Sequence, residues 1–160
     1  MEIIELKHGN SSAQVYAYGA TVTSWKQNGK EKLFLSSTGN EISRPKIHGP
    51  WYAYRTRFFD GPCLPVYLIV HSEAFLNFVE AKLDGSKAIR GGIPVVFPNF
   101  GPWKLGPQHG FARISSWTVD QKGDDFVIFT LSDNDETRKM WDYKFELRYT
   151  VRISDNSLCK

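Results

Sequence analysis

A glycine- and proline-rich stretch, IRGGIPVVFPNFGPWKLGPQHGFARISSW from Ile89 to Trp117, carries the side chains best suited to ligand chemistry. Two arginines, Arg90 and Arg113, flank its apolar run, and the Gln108-His109 pair precedes the second arginine. A guanidinium group is planar and always charged, and its forked donors fit a phosphate or carboxylate bidentately. Glutamine and histidine supply neutral donors and acceptors that suit hydroxyl groups. The pattern predicts a small, anionic, polyhydroxylated ligand such as a sugar phosphate.

Glycines and prolines would shape the backbone that holds these side chains. Gly91 and Gly92 follow Arg90 directly, and they allow the backbone to approach a ligand or to adopt a positive φ. Four prolines restrict the loops in between: Pro94, Pro98, Pro102 and Pro107. Restricted loops lose less entropy when a ligand binds, so the stretch is suited to a preorganised site.

Two further roles are less well supported by the same residues. Trp103 and Trp117 could stack on a sugar face, although core packing is the more frequent fate of such side chains. A metal role for His109 is not indicated, because no second His, Cys or carboxylate stands beside it at ligand spacing. We therefore expect no metal at this residue, and the chain as a whole is expected to use no cofactor.

The segments that flank this stretch predict short β-strands. SAQVYAYGATVTSWKQNGKEKLFLSS, residues 12–37, alternates apolar with polar residues, and Gly19 and Asn28-Gly29 are turn signals. SSWTVDQKGDDFVIFTLSD, residues 115–133, predicts two strands joined by a polar turn at Lys122-Gly123-Asp124. Short strands at this spacing favour an antiparallel sandwich or barrel.

Two further elements are predicted towards the carboxyl end. FELRYTVRISD alternates so that one strand face carries Phe145, Leu147, Tyr149, Val151 and Ile153. DNDETRKMW, residues 133–141, has a helical pattern, for which Asp133 is the predicted N-cap and Glu136 stands at the capping-box spacing.

The segment from Thr38 to Glu80 differs in composition from both flanks. Its apolar runs, LPVYLIVH and FLNFV, lack a clean alternation, so each fits a buried strand or a short helix equally well. It also contains the most basic run of the chain, Arg44 to Arg57, with interleaved aromatic residues. A solvated irregular segment explains this run better than a nucleic-acid site.

Composition sets further bounds. With 160 residues the chain is long enough for one domain, and a formal net charge of +3 does not indicate a nucleic-acid partner. Cys63 and Cys159 are far apart, which fits free thiols in a reducing compartment. No signal-peptide pattern and no apolar run of about 20 residues is present, so we expect no membrane association and a cytoplasmic location.

Several motifs together resemble one known family. YGATVTSWK, LFLSS, AKLDGSKAIRGGIPVVFPNFG, PQHGFAR and SSW occur in the order found in the amino-terminal half of a hexose-6-phosphate mutarotase. This is the glucose-6-phosphate 1-epimerase branch of the aldose 1-epimerase superfamily. The resemblance covers residues Glu5–Ser37 and Ala81–Asp155.

The resemblance implies an all-β fold and a set of binding residues. The fold is the galactose mutarotase-like antiparallel β-supersandwich, of which residues 1–160 would form the amino-terminal part of one domain, with residues 38–80 as an atypical insertion. By similarity, Arg90 and Arg113 help to bind the substrate, Gln108 belongs to the same motif, and His109 lines the sugar site. The implied activity is interconversion of the α and β anomers of a hexose 6-phosphate.

The same resemblance places the proton-transfer groups elsewhere. The family acid is a second histidine and its base a glutamate, and both follow the QHGFAR motif at a distance that would put them beyond Lys160. We therefore expect no catalytic residue in this chain, and weak or no activity from it alone. Glu136 and Glu146 are expected at solvated or edge positions and do not replace the missing base.

Two alternatives to an isomerase stay open from the sequence. One is a non-catalytic sugar-phosphate binding module that uses Arg90, Gln108, His109 and Arg113. The other is a non-functional fragment from a splice variant or gene-model artefact. The Thr38–Glu80 segment is correspondingly either a surface loop or a product of the same artefact, for example a retained intron.

Overall fold

The computed structural model describes residues 1–33, 35, 54–56, 64–66 and 81–160. Within these residues the elements are β1 (Ile3–His8), β2 (Ser11–Tyr16), β3 (Thr21–Gln27), β4 (Lys30–Glu31), β5 (Tyr54–Thr56), β6 (Leu64–Val66), a 3-10 turn (Ala112–Ile114), β7 (Thr118–Lys122), β8 (Phe126–Ser132), α1 (Asp135–Met140), β9 (Glu146–Ile153) and β10 (Leu158–Cys159). The predicted all-β class is confirmed.

The strands form two antiparallel four-stranded sheets and one small strand pair. The first sheet has the order β1-β2-β3-β4, and the second has the order β10-β9-β8-β7. Strands β5 and β6 pair with each other, with Tyr54 opposite Val66. Neighbouring strands are antiparallel throughout both sheets, as the short strands and tight turns predict.

Among the described residues, one hydrophobic core cluster joins the two large sheets. Side chains alternate between buried and exposed along β1, β2, β8 and β9, because successive residues of a strand point to opposite faces. These four strands contribute the following buried side chains to one cluster: Ile4, Leu6, Ala13, Val15, Val127, Phe129, Leu131, Val151 and Ile153. Along β9 the predicted apolar face is the face that packs inward.

Two of the turns predicted from the sequence are present in the structure. Asn28 and Gly29 have φ values of 50° and 73° and join β3 to β4, where Gln27 pairs with Lys30. Positive φ at both central residues is the condition for the tight hairpin that Asn-Gly predicts. The polar turn predicted after Lys122 also connects two paired strands, β7 and β8.

The helix begins one residue later than expected. Asn134, and not Asp133, is the N-cap of α1: its Oδ1 accepts hydrogen bonds from the backbone N–H groups of Glu136 and Thr137, at 3.0 Å each. The Thr137 hydroxyl completes the capping box by accepting from the Asn134 N–H, so Glu136 does not fill the predicted position. Asp133 instead accepts from the Phe145 N–H at 3.2 Å. The predicted N-cap was wrong because this long-range contact uses the Asp133 carboxylate.

Most of the Thr38–Glu80 segment lies outside the described residues. Strand β6 shows that the start of the LPVYLIVH run is extended, whereas the FLNFV run, most of the Arg44–Arg57 run and Cys63 are not described. Cys159 is exposed, with a free thiol. The assignment of residues 38–80 as an insertion stays a prediction.

In the part of the chain that the structure describes, no helix has the length and apolar character needed to cross a membrane.

Candidate functional site

The loop that carries Arg90 is anchored on strand β3. Ile93 and Val22 exchange two backbone hydrogen bonds, with N···O distances of 2.8 and 3.2 Å. Gly92 lies at φ 64°, and a Cβ atom there would collide with the Val22 carbonyl oxygen. Arg90 is exposed, directly after buried Ile89. Gly92 is therefore needed for the close approach to β3, which anchors the loop two residues after Arg90.

The second part of the site is fixed against Phe97. The Ala112 N–H donates to the Phe97 carbonyl oxygen at 3.2 Å, and Gly110 forms an isolated bridge with Phe97. Gly110 has a φ of 77°, and a Cβ atom there would overlap the Phe97 carbonyl. Phe111 is 1% exposed. The Gly-Phe-Ala part of the QHGFAR motif is thus buried and supports the site by packing. The polar residues of the motif, Gln108, His109 and Arg113, are exposed or half-buried.

Arg113 is half-buried in the 3-10 turn and keeps part of its donor capacity unused. Its Nη2 donates to the Gln108 carbonyl oxygen at 2.8 Å. Its Nε is buried and has no hydrogen-bond partner among the described residues. Burial lowers the pKa of Arg113 first, and the positive charge of Arg90 lowers it further. The two arginines therefore act on each other electrostatically, and an anion between them would relieve that repulsion.

His109 is held by two backbone hydrogen bonds to Gly101. Its N–H donates to the Gly101 carbonyl oxygen at 2.9 Å, and its ring Nδ1 accepts from the Gly101 N–H, also at 2.9 Å. The residue has a φ of 66°, a strained value for a residue other than glycine. The pKa of His109 is lowered by burial and then by the charge of Arg113. The ring is thus orientated by the backbone and favoured in its neutral form.

The structure brings three of the four predicted residues into one turn. The Nη2–carbonyl bond joins Arg113 to Gln108, His109 lies between them in the chain, and the Gln108 side chain is exposed. Arg90 comes from a separate loop and reaches this group through its charge effect on Arg113. The binding role of these four residues stays a prediction.

Phe100 is a candidate that the sequence reasoning missed. Its side chain is 74% exposed, and its ring centroid lies 5.1 Å from that of His109. The expectation that Trp117 packs in the core is confirmed, since it is 5% exposed and its Nε1 donates to the Ala112 carbonyl oxygen. Trp103 is half-buried against Phe111. The sequence did contain a signal for this exposed ring: Phe100 stands between Asn99 and Gly101 in a loop, and loop residues lie mainly on the protein surface.

The carboxylates considered from the sequence are exposed. Glu136 pairs with Lys139 on α1, and Glu146 lies at the start of β9 with its side chain outward. Across residues 1–33, 35 and 81–160, no three His, Cys, Asp or Glu side chains are grouped as a metal site would require.

Comparison with known proteins gives one family and several relatives. The family model described as Aldose 1-epimerase matches residues 67–160. A protein of Cenchrus ciliaris named "Putative glucose-6-phosphate 1-epimerase" is 32% identical over 154 residues, which are 90% of this chain and 34% of that protein. An Escherichia coli protein of the same name is 27% identical over 159 residues, 96% of this chain and 40% of its own length. The chain therefore spans about a third to two fifths of these curated relatives.

Solved structures show the same fold. A Synechocystis protein superimposes with a TM-score of 0.62 at 22% identity, over 98% of this chain and 46% of its own. A Lactobacillus acidophilus galactose mutarotase related enzyme gives 0.60 at 20% identity, over 98% and 41%. A Salmonella typhimurium structure titled as a "putative mutarotase" gives 0.56 at 25% identity, over 94% and 39%. The galactose mutarotase-like supersandwich is confirmed as a partial fold.

Proposed function

Because the chain belongs to the aldose 1-epimerase family, we propose that it supplies the substrate-binding part of a hexose 6-phosphate 1-epimerase. Such an isomerase interconverts the α and β anomers of its substrate. The observation that supports this proposal best is the pair of arginines. Arg113 keeps a buried, unpaired Nε within the described residues, and the charge of Arg90 acts on it. The names of the curated relatives point to glucose 6-phosphate as the first substrate to test.

The arginines would bind the phosphate group. A phosphate dianion in a partly desolvated site needs fixed positive charge, and guanidinium groups keep theirs even when half-buried. Arg113 is orientated by its bond to the Gln108 carbonyl, so its remaining donors lose little freedom on binding. Arg90 is exposed and would contact the phosphate together with Arg113, from a separate loop.

The sugar ring would lie against the turn that contains Gln108 and His109. The exposed Gln108 amide offers both a donor and an acceptor to hydroxyl groups. Phe100, beside the His109 ring, offers an apolar face against which the C–H groups of a sugar can pack. Binding would therefore combine charge at the phosphate with hydrogen bonds and packing at the ring.

Proton transfer would need groups beyond this site. Opening the ring requires one group to protonate the ring oxygen and another to remove the proton from the C1 hydroxyl. Among the described residues, His109 has no carboxylate partner: it contacts Gly101, Phe100 and the charge of Arg113. We expect the acid and base of the family in sequence outside these 160 residues, so this chain alone binds substrate with little or no catalysis. A cytoplasmic location and the lack of a cofactor stay predictions.

Two measurements on the purified chain test the proposal. Titration calorimetry with glucose 6-phosphate, and with glucose as the control, should show saturable binding that requires the phosphate. Binding should be lost in Arg90→Ala and kept in Arg152→Ala, which removes an exposed arginine of β9. Two-dimensional exchange NMR on glucose 6-phosphate should then show anomer exchange at the buffer rate.

Each result has a distinct meaning. Binding without acceleration supports the proposal. Exchange well above the buffer rate would contradict the assignment of the acid and base to sequence outside the chain. Absence of binding by a folded protein, with the two sheets intact by circular dichroism, would reject the site and favour a non-functional fragment.

A further inference from the structure

The contact between Gly101 and the His109 ring determines which ring nitrogen carries the proton. A backbone N–H can only donate, so the Gly101 N–H at 2.9 Å requires an unprotonated Nδ1 with its lone pair directed at it. In a neutral imidazole the proton then resides on Nε2. The second bond of the pair, from the His109 N–H to the Gly101 carbonyl, holds the two residues at a fixed separation.

We infer that Gly101 is a positioning residue that holds His109 as the neutral Nε2–H tautomer, so that the ring presents a hydrogen-bond donor to an oxygen of the bound sugar. The inference rests on the proposed function for the identity of the ligand, but the tautomer itself does not depend on any ligand.

The surroundings of His109 disfavour the two other protonation states. A proton on Nδ1 would face the Gly101 N–H, which would replace a hydrogen bond by two opposed donors. The cationic ring would in addition lie close to the positive charge of Arg113, with Arg90 acting on Arg113 from the next loop. Both effects favour the Nε2–H form over the alternatives.

A neighbouring side chain holds the loop that carries the Gly101 N–H. Asn99 Nδ2 donates to the carbonyl oxygens of Phe100 and Pro102, at 3.1 and 3.2 Å. These two carbonyls lie on either side of Gly101, whose φ of 86° is accessible mainly to glycine. Asn99 therefore orientates the Gly101 N–H, and through it the His109 ring, without contacting His109 by a hydrogen bond of its own.

The tautomer defines what His109 can do chemically. Nε2 already carries a proton, so it donates to a lone pair of a ring or hydroxyl oxygen. It cannot accept the proton of the C1 hydroxyl, because Nδ1 is occupied and Nε2 is already protonated. His109 is thereby assigned to orientation of the sugar, and the base is a different group.

The tautomer can be read directly in the absence of ligand. Long-range proton–nitrogen correlation spectra of protein labelled with ¹⁵N-histidine distinguish a protonated from an unprotonated ring nitrogen, and His109→Gln identifies the relevant signal. We expect an unprotonated Nδ1 and a protonated Nε2 at neutral pH. A signal from the Nδ1–H form, or from the cation, would overturn the inference.

A variant of Asn99 separates positioning from general structural support. Asn99→Ala should increase the Nδ1–H population and weaken glucose 6-phosphate binding about 3- to 10-fold, the loss expected for one hydrogen bond. Asn156→Ala is a matched control, since this exposed side chain lies in the turn between β9 and β10 and accepts a hydrogen bond from Gln27 at the end of β3. If Asn99→Ala lowers thermal stability and leaves the tautomer unchanged, Asn99 is only a structural residue.

The inference and the proposed function can fail separately. If the Nε2–H form is found and neither glucose 6-phosphate nor glucose binds, Gly101 still positions the ring, but the donor role towards a sugar is rejected together with the proposed function. If glucose 6-phosphate binds and the ring is in the Nδ1–H form, the proposed function stands and the positioning assignment is rejected.

Discussion

Arg113 donates from Nη2 to the backbone carbonyl oxygen of Gln108 at 2.8 Å, and this bond closes a turn around His109. The donors of this guanidinium are thus divided: Nη2 braces the turn, while the buried Nε has no hydrogen-bond partner among the described residues. A lysine has a single ammonium group on a flexible stem and cannot reproduce that division. The relationship explains why the sequence uses arginine at this position.

The first prediction follows from this dual role. Arg113→Lys should weaken glucose 6-phosphate binding by about 10- to 100-fold, because a charged hydrogen bond and the fixed orientation of the turn are both lost. Arg90→Lys should have a smaller effect, since exposed Arg90 makes no comparable bracing bond among the described residues and acts mainly through its charge. Titration calorimetry on both variants measures the difference. Equal losses would contradict the bracing role of Arg113.

The second prediction concerns the anchor of the Arg90 loop. Gly92→Ala should lower the free energy of unfolding by at least about 3 kcal/mol, because a Cβ atom collides with the Val22 carbonyl and the paired hydrogen bonds with Ile93 must yield. Gly29→Ala is the matched control: its φ is also positive, at 73°, but nothing lies within 4 Å of the added atom. It should cost only about 1–2 kcal/mol.

Urea denaturation of both glycine variants, followed by circular dichroism, gives the comparison. If Gly92→Ala costs no more than Gly29→Ala, the close approach between the loop and β3 is not maintained in solution.

Much of the fold follows from local sequence. The alternation in residues 145–155 predicts the inward face of β9, because a strand has only two faces and burial selects one of them. Asn28-Gly29 predicts its hairpin because few residue pairs tolerate two positive φ values. The N-cap of α1 was misplaced because Asp133 bonds to Phe145, a residue 12 positions away that local patterns do not include.

The site was predictable only in part, because some of its contacts join residues that are distant in sequence. Gln108, His109 and Arg113 are close in sequence, so their meeting in one turn needs no long-range information. The exposure of Phe100 and the bond from Gly101 to the His109 ring depend on the path of the intervening loop. Glycine and proline content indicates that such a loop is restricted, but not where each N–H group points.

The third prediction concerns a hydroxyl group buried without a partner. Tyr149 on β9 has a buried Oη that makes no hydrogen bond among the described residues, and burial raises the pKa of this phenol. A buried unpaired hydroxyl is destabilising, so Tyr149→Phe should leave the free energy of unfolding unchanged or raise it by about 1 kcal/mol. Tyr143→Phe, at a site 62% exposed, is the neutral control. A loss of stability in Tyr149→Phe would show that the hydroxyl has a bonding partner in solution.

The fourth prediction is the pH dependence of His109. Burial first, and the charge of Arg113 second, lower the pKa of His109 below the ordinary value of a histidine, about 6.5. Between the folded and unfolded pKa values the unfolded chain binds more protons, so stability rises with pH in that window. The contribution of His109 is therefore fully present above about 6.5 and is lost as pH falls through the folded value. In His109→Gln, the pH slope of stability in this window should be smaller than in the parent protein.

The two causes of the lowered pKa of His109, burial and the charge of Arg113, can be separated in the folded protein. In Arg113→Met, the pKa of His109 read by NMR titration should rise towards its ordinary value but not reach it, because burial is the larger cause and persists. A return to the ordinary value would make Arg113 the dominant cause, and no change would mean that its charge does not reach the ring. A parent pKa at or above the ordinary value would contradict the geometry itself, because the Nδ1 bond from Gly101 favours the unprotonated nitrogen.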